Sequence, residues 1–208
     1  MDEKARRVAL ACKGFLDDEE GMRLYDLARK HAHLGPIVEI GSYCGKSSVY
    51  LGSGAREAGG TLVCVDHHRG SEEQQPGWEH HDPELVDPRV GRMDSLPLLR
   101  RTLHDAGLEH MAIVVVGASV LVARLWSAPL GMVFIDGGHS LEAATADYEA
   151  WGHRVVPGGI LAIHDLFDDP ADGGQAPIEV YRSALASGEF DELPRTHTLG
   201  VLRRRGLV

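Results

Sequence analysis

The sequence predicts an α/β fold, a doubly wound and mostly parallel sheet with helices on both faces, and three observations carry that expectation. Short apolar runs alternate along the 208 residues with segments of helical period. Glycine-rich turns follow several of the apolar runs. The residues with chemistry in them, after positions 40, 65, 116, 135 and 163, all stand where such a run stops. Ligands of open parallel sheets sit beyond the carboxyl ends of the strands, so the pattern places a site as well as a fold.

Residues 1–35 read as an N-terminal helical layer: Asp2 to His33 is charged, with Leu24, Leu27 and Ala28 at helical spacing, and Gly35-Pro36 stops it. Ile37-Val38-Glu39-Ile40 is a buried strand that turns through Gly41 and Gly45 into a helix over Ser47 to Ala58, closed by Gly59-Gly60. Thr61 to Val65 is the second strand and ends in Asp66. His67 to Arg92, with three prolines and four histidines, has no period, and residues 67–95 are expected to be an inserted lid or substrate loop. Leu96 to Ala106 resumes helical spacing, and Met111 to Val116 is a third strand ending in Gly117-Ala118-Ser119. After a short helix, Val120 to Trp126, a fourth strand over Leu130 to Ile135 runs into Asp136-Gly137-Gly138-His139. Leu141 to Trp151 is helical, and a fifth strand, Ile160 to Ile163, ends in His164-Asp165. An acidic loop over Leu166 to Ala176, a helix over Pro177 to Ser187 and a last strand around His197 to Arg203 complete the chain. No linker divides it, so residues 1–208 are expected to form a single domain.

Composition narrows the partners. A net charge of −10 argues against nucleic acid, whose binding draws on clustered Lys and Arg. The closing Arg203-Arg204-Arg205 is expected to be a solvated terminus at the end of an edge strand. Met1 to Leu10 lacks the apolar core of a signal peptide, and no window approaches the roughly 18 apolar residues of a membrane span. A cytoplasmic protein without a membrane partner is the expectation. The three cysteines, Cys12, Cys44 and Cys64, show no CxxC spacing and read as buried thiols. The charged helical layer and acidic surface permit a homodimer without requiring one.

Three readings of the turn after the first strand compete. A phosphate loop needs GxxxxGK[ST], and Gly41-Ser42-Tyr43-Cys44-Gly45-Lys46-Ser47 is one residue short. A dinucleotide fingerprint needs GxGxxG, and Tyr43 stands where the close-approach glycine belongs. The third reading is an E-x-G-x-x-x-G turn, which Glu39, Gly41 and Gly45 match in full. Asp66 could accept both hydroxyls of a ribose, a role shared with NAD sites.

The ends of the fourth and fifth strands hold a second constellation. If those strands are neighbours, Asp136, His164 and Asp165 converge on one divalent ion, Mg²⁺ or Mn²⁺, and His139 is placed to take a proton. The loop from Gly70 to Asp87 offers Ser71, Glu72, Gln74, Gln75, Trp78, Glu79, His80 and His81, an aromatic with polar groups suited to a sugar ring. Asp168, Asp169 and Asp172 read as a solvated loop on the acceptor side.

Glu-Ile-Gly-Ser-Tyr-Cys-Gly-Lys-Ser-Ser, Phe-Ile-Asp-Gly-Gly-His-Ser, Val-Pro-Gly-Gly and Ile-His-Asp together resemble the class I S-adenosylmethionine-dependent, metal-dependent O-methyltransferases of the macrocin and mycinamicin sugar group. The resemblance spans Val38 to Arg203. It implies the Rossmann-like fold of that class, S-adenosylmethionine as cofactor, and a small-molecule or oligosaccharide acceptor. It implies cofactor contacts from Glu39, Gly41, Ser42, Tyr43, Gly45, Ser47, Ser48, Asp66, His67 and Asp136, with Gly117, Ala118 and Ser119 at the adenine edge. Asp136 and Asp165 would be metal ligands and His139 the general base. His164 departs from the Glu or Asp that relatives often carry, which leaves the third ligand and the metal open. Asp-His-His-x-Gly-Ser-Glu-Glu from Asp66 is similar to small actinobacterial proteins that methylate the 1-hydroxyl of methylmannose oligosaccharides. A catechol-type acceptor, an NTP-using enzyme built on Gly45-Lys46-Ser47, and a non-catalytic nucleotide-binding module are the rival readings. The first of these predicts an apolar pocket wall.

Overall fold

In the computed structural model, residues 1–78 and 80–206 are described, so Glu79 of the inserted loop lies outside the described residues, as do Leu207 and Val208. The chain forms α1 (Glu3–Ala11), α2 (Asp18–His31), β1 (Ile37–Ile40), α3 (Lys46–Glu57), β2 (Leu62–Asp66), β3 (Val86–Asp87), β4 (Arg92–Met93) and α4 (Leu96–Asp105). Then come β5 (Ala112–Val116), α5 (Ser119–Leu125), β6 (Leu130–Ile135), α6 (Leu141–Trp151), β7 (Val155–Ile163), α7 (Ala176–Ala186), β8 (Phe190–Thr196) and β9 (Leu199–Arg204). Seven strands make one sheet in the order β5-β2-β1-β6-β7-β9-β8. The first five of these pair in parallel, and β9 pairs antiparallel with both β7 and β8.

Period-two alternation splits each central strand between two cores. Ile37, Leu62, Cys64, Met132 and Phe134 face α1 to α4, with Leu24, Tyr50 and Leu99 among their neighbours. Val38, Ile40, Val63, Val133 and Ile135 face α5 to α7, packing with Trp151, Ile178 and Tyr181. Both faces are covered, which is why β1 and β6 are buried at every residue and read as unbroken apolar runs. The N-terminal layer is two helices, each started by an acid: Asp2 accepts from the Ala5 N–H, and Asp17 forms a capping box with Glu20.

Two expectations need correction at the C-terminus. β8 went unread because Asp191, Glu192 and Pro194 mask its strand pattern; it is the edge strand, and it places β9 inside the sheet. The arginine run is not merely solvated, since Arg203 and Arg205 pair with Asp191 and Arg204 pairs with Glu189. The inserted loop is also more ordered than its sequence suggests, with single 3-10 turns at Glu72–Gln74 and Pro83–Leu85 and the β3–β4 hairpin. Cys44 and Cys64 are buried free thiols and Cys12 is half-buried. Burial pushes the Cys44 thiol up to about 12. Among the described residues no helix is long and apolar enough to cross a membrane.

Candidate active site

At the end of β1 the chain leaves the sheet through Gly41, with φ +84°, where a Cβ would collide with the Asp136 carbonyl oxygen. Gly45, with φ +97°, then starts α3 without a side-chain cap. Between them the Ser42 and Tyr43 N–H groups donate to Asp66 Oδ2, at 3.0 and 2.8 Å, and the His68 N–H donates to Oδ1 at 2.7 Å. A carboxylate has about four acceptor positions, so roughly one stays free for a ligand. Asp66 therefore shapes the turn as well as lining the cavity.

Glu39 lies behind this turn, fully buried, accepting from the Ser48 hydroxyl at 2.5 Å, while its other oxygen has no partner. Burial pushes its carboxyl up to about 7, against hydrogen bonds from Ser47 and Ser48.

β6 and β7 are parallel neighbours, with Ile135 opposite Ile163, so the residues that follow them meet. Asp136, His139 and Asp165 each offer an atom within 4.8 Å of the others. His139 Nε2 lies 3.1 Å from Asp165 Oδ2, and its Nδ1 lies 2.9 Å from Glu73 Oε2. The hydrogen bond to Asp165 raises the imidazole to about 9, against the effect of its burial. Burial opposes ionisation of Asp165, but hydrogen bonds from His139 and His164 outweigh it and hold its carboxyl well below the usual range.

His164 is placed differently from the expected ligand. Its Nδ1 lies 3.1 Å from Asp136 Oδ1 and 3.3 Å from Asp165 Oδ1, and its Nε2 lies 3.0 Å from Glu20 Oε2. Burial pushes it down, yet three carboxylates hold it well above its ordinary value. The ligand atoms that gather closely enough to hold one ion come from Asp136, His139 and Asp165, whereas both nitrogens of His164 are already taken up by carboxylates. Two oxygens and a nitrogen suit Mg²⁺ or Mn²⁺ with positions left open, so these residues fit such an ion.

The inserted loop closes over this end. Glu73 comes from its first 3-10 turn, and Lys13, between α1 and α2, pairs with Asp82 and Glu84 farther along it. Phe15 packs against His80 and Tyr43 at centroid distances of 4.8 and 6.1 Å. Together these segments enclose a cavity of about 890 Å³ beyond the strand ends, walled by the Gly41 turn, Asp66, the acid–histidine cluster, Phe15 and Trp78. That volume falls in the range of small-molecule and cofactor sites. Of the four non-glycine residues with positive φ among the described residues, Tyr43, Asp165 and His197 lie on its wall, local strain of the kind that gathers at functional sites.

Residues 38–166 match a family model described as a methyltransferase domain. The chain belongs to this family. Its fold is that of the class I methyltransferases, Rossmann-like, and solved structures agree in shape at low identity. The O-methyltransferase TomG of Streptomyces achromogenes, involved in tomaymycin synthesis and solved with S-adenosylmethionine, is similar at TM-score 0.64 and 19% identity, over 99% of this chain and 91% of that one. An O-methyltransferase of Bacillus cereus in complex with S-adenosylhomocysteine aligns at 0.64 and 15%, over 98% and 92%. The apo TDP-rhamnose 3'-O-methyltransferase of calicheamicin biosynthesis aligns at 0.60 and 18%, over 90% and 81%.

Within this methyltransferase fold the expected site residues separate into two sets. Gly41, Ser42, Tyr43, Ser47, Asp66, His67, Gly117, Ser119, Asp136, His139, His164 and Asp165 line the cavity. Glu39, Gly45, Ser48 and Ala118 are not on its wall: Glu39 and Ser48 tie β1 to α3, and Gly45 makes the bend. Sequence reading missed Glu20, Glu73 and Asp147, all on the cavity wall. Glu20 sits in a helix that looked like cover, Glu73 in a loop without period, and Asp147 inside an ordinary helical stretch. The one available signal was that Glu20 and Asp147 are acids that the helical pattern turns inward.

Proposed function

We propose that this methyltransferase transfers the methyl group of S-adenosylmethionine to a hydroxyl of a saccharide, with Mg²⁺ or Mn²⁺ held by Asp136 and Asp165. One observation carries the reading: a single cavity has a glycine turn with Asp66 at one end and Asp136, His139 and Asp165 at the other. The cofactor fits the first end, where Asp66 lines the cavity with about one acceptor position left and the backbone of the turn bends close. The cation supplies a positive charge that orients the acceptor hydroxyl and makes it more acidic.

The acceptor oxygen attacks the sulfonium methyl carbon in line, the carbon–sulfur bond breaks towards sulfur, and the hydroxyl proton passes to His139 Nε2. Glu73 accepts from Nδ1–H and so fixes the tautomer whose free lone pair is on Nε2. His139 must be neutral to act, and its high value comes first from Asp165; a cation held by that carboxylate would weaken the hold. A second reading, with His139 as the third ligand, rests on the three-residue cluster itself. The polar loop around Trp78 suits a saccharide as acceptor, a methylated mannose oligosaccharide being its narrowest form, and speaks against the apolar wall a catechol calls for. The 67–95 insertion acts as the lid over it.

The test is calorimetric titration with S-adenosylmethionine, with and without EDTA, followed by a screen of mono- and oligosaccharides for methyl transfer. Cofactor binding and metal-dependent transfer to a sugar are expected. No binding at about millimolar cofactor, in the weakest range of specific sites, overturns the reading.

A further inference from the structure

Glu20, in the first turn of α2, is only 2% exposed, and although it lies on the cavity wall it has nothing left to offer a ligand. Its Oε1 accepts the Thr198 N–H and the Thr198 hydroxyl, both at 2.8 Å. Its Oε2 accepts the Asp17 N–H at 3.2 Å and lies 3.0 Å from His164 Nε2. These four contacts fill the roughly four acceptor positions of a carboxylate. A charge is costly to bury, and this one is held from the cap of α2, from the turn between β8 and β9 and from the end of β7.

What Glu20 holds in turn is the imidazole of His164, itself buried. The opposite nitrogen, Nδ1, lies 3.1 Å from Asp136 Oδ1 and 3.3 Å from Asp165 Oδ1, so one ring atom bridges the two acids that follow β6 and β7. Two carboxylates this close repel, and an unbridged pair moves apart or takes up a proton. Asp165 is also set at φ +59°, a conformation that persists in a non-glycine residue only where the surroundings fix it. The bridge uses Oδ1 of each acid, while Asp165 Oδ2 lies beside His139 Nε2, 3.1 Å away.

We infer that Glu20 is a positioning residue for the divalent ion, acting through His164, which spaces Asp136 and Asp165 so that one ion can meet both. The inference rests on the metal site read under Proposed function. Groups that hold metal ligands from behind orient them, and losing one costs about 10- to 100-fold in metal affinity. The ion site then depends on the N-terminal layer and on the β8–β9 turn, although neither supplies one of the gathered ligand atoms.

The experiment follows Mn²⁺ binding to the full chain, without acceptor, by the electron paramagnetic resonance signal of the free ion. The wild-type protein is expected to bind, and Glu20→Gln, which keeps the shape but turns an amide N–H towards its former donors, to weaken binding by about tenfold or more. Affinity for S-adenosylhomocysteine, measured by calorimetry on the same variant, is expected to change by less than about twofold to threefold, because the glycine turn is built separately. His164→Asn keeps an N–H donor close to the place of Nδ1 and His164→Leu has none. The Asn variant is therefore expected to bind Mn²⁺ about fivefold or more tightly than the Leu variant, the scale of one hydrogen bond, whereas a role in packing alone favours Leu. Should Glu20→Gln not fold, Thr198→Val removes one of the donors that fix Glu20 and is expected to weaken Mn²⁺ binding in the same direction. Mn²⁺ affinity within about twofold of wild type in the Glu20 variant, or in Thr198→Val in its place, overturns the inference while the metal reading stands. So does an equal loss of ion and cofactor, or a Leu variant that binds as well as Asn. If the wild-type protein binds no Mn²⁺, the metal reading and the inference fall together.

Discussion

The two ends of the cavity are built in different ways. The end at β1 and β2 is made of backbone: two glycines at positive φ and N–H groups gathered on one carboxylate, Asp66. The end at β6 and β7 is made of side-chain charge: Glu20, Asp136 and Asp165 around His164, and Glu73 and Asp165 around His139. Backbone geometry is fixed once the chain folds and changes little with solution conditions. A charge cluster depends on every member, on pH and on any ion that joins it. Under the proposed function the first end would hold the cofactor in one pose and the second would move a proton.

Substitutions should separate the two kinds of construction. The largest effect is expected from Glu20→Gln, which leaves the imidazolium of His164 short of one of its carboxylates. Removing one partner of a buried charged pair costs about 3–5 kcal/mol, and a thermal melt should show Tm lower by about 10 °C. Unchanged Tm would mean that the charge-built end does not depend on Glu20.

Glu39→Gln comes next and tests the backbone-built end through pH. In the folded protein Glu39 is raised from 4.5 to about 7. As pH rises from 4.5 the unfolded chain releases this proton first, so wild-type stability falls until the folded group also titrates near 7 and then levels off. At about 1.4 kcal/mol per pKa unit the loss is up to about 3 kcal/mol. Denaturant unfolding at pH 5 and pH 8 should show a larger fall in the wild type than in the variant, which keeps the fall contributed by His139 and His164. Equal pH dependence in both would place Glu39 outside the titration.

His139→Ala is expected to lower turnover by about 10²-fold with cofactor affinity retained. Metal affinity, followed by calorimetry, divides the two readings of this histidine: retained for a base, lost for a ligand. Asp66→Asn should have the smallest effect, about tenfold in cofactor affinity. An Asn oxygen can serve only part of the three N–H groups now on Asp66, so slackening of the turn adds to the lost ligand contact.

The same contrast explains how much could be read from the sequence. The glycine turn was legible because a backbone-built site is local: Gly41, Gly45 and Asp66 must stand at set distances from two strands. The pairing of Asp136 with Asp165 was legible one step further on, through strand order. The use of His164 was not, because its role depends on Glu20, 144 residues away in a helix that reads as plain amphipathic cover. Nor could spacing show that Glu73 reaches His139 across 66 residues. β8 was hidden by the charges and proline that make it a safe edge.

The contact between Glu73 and His139 has a consequence in time. The segment that covers the cavity also holds the imidazole, so under the proposed function traffic through the mouth and readiness for proton transfer would be set by one motion. If the loop opens as the proposed lid, each exchange of molecules would unmake the site and each closure remake it. The pace of turnover would then be a property of the loop as much as of the chemistry beneath it.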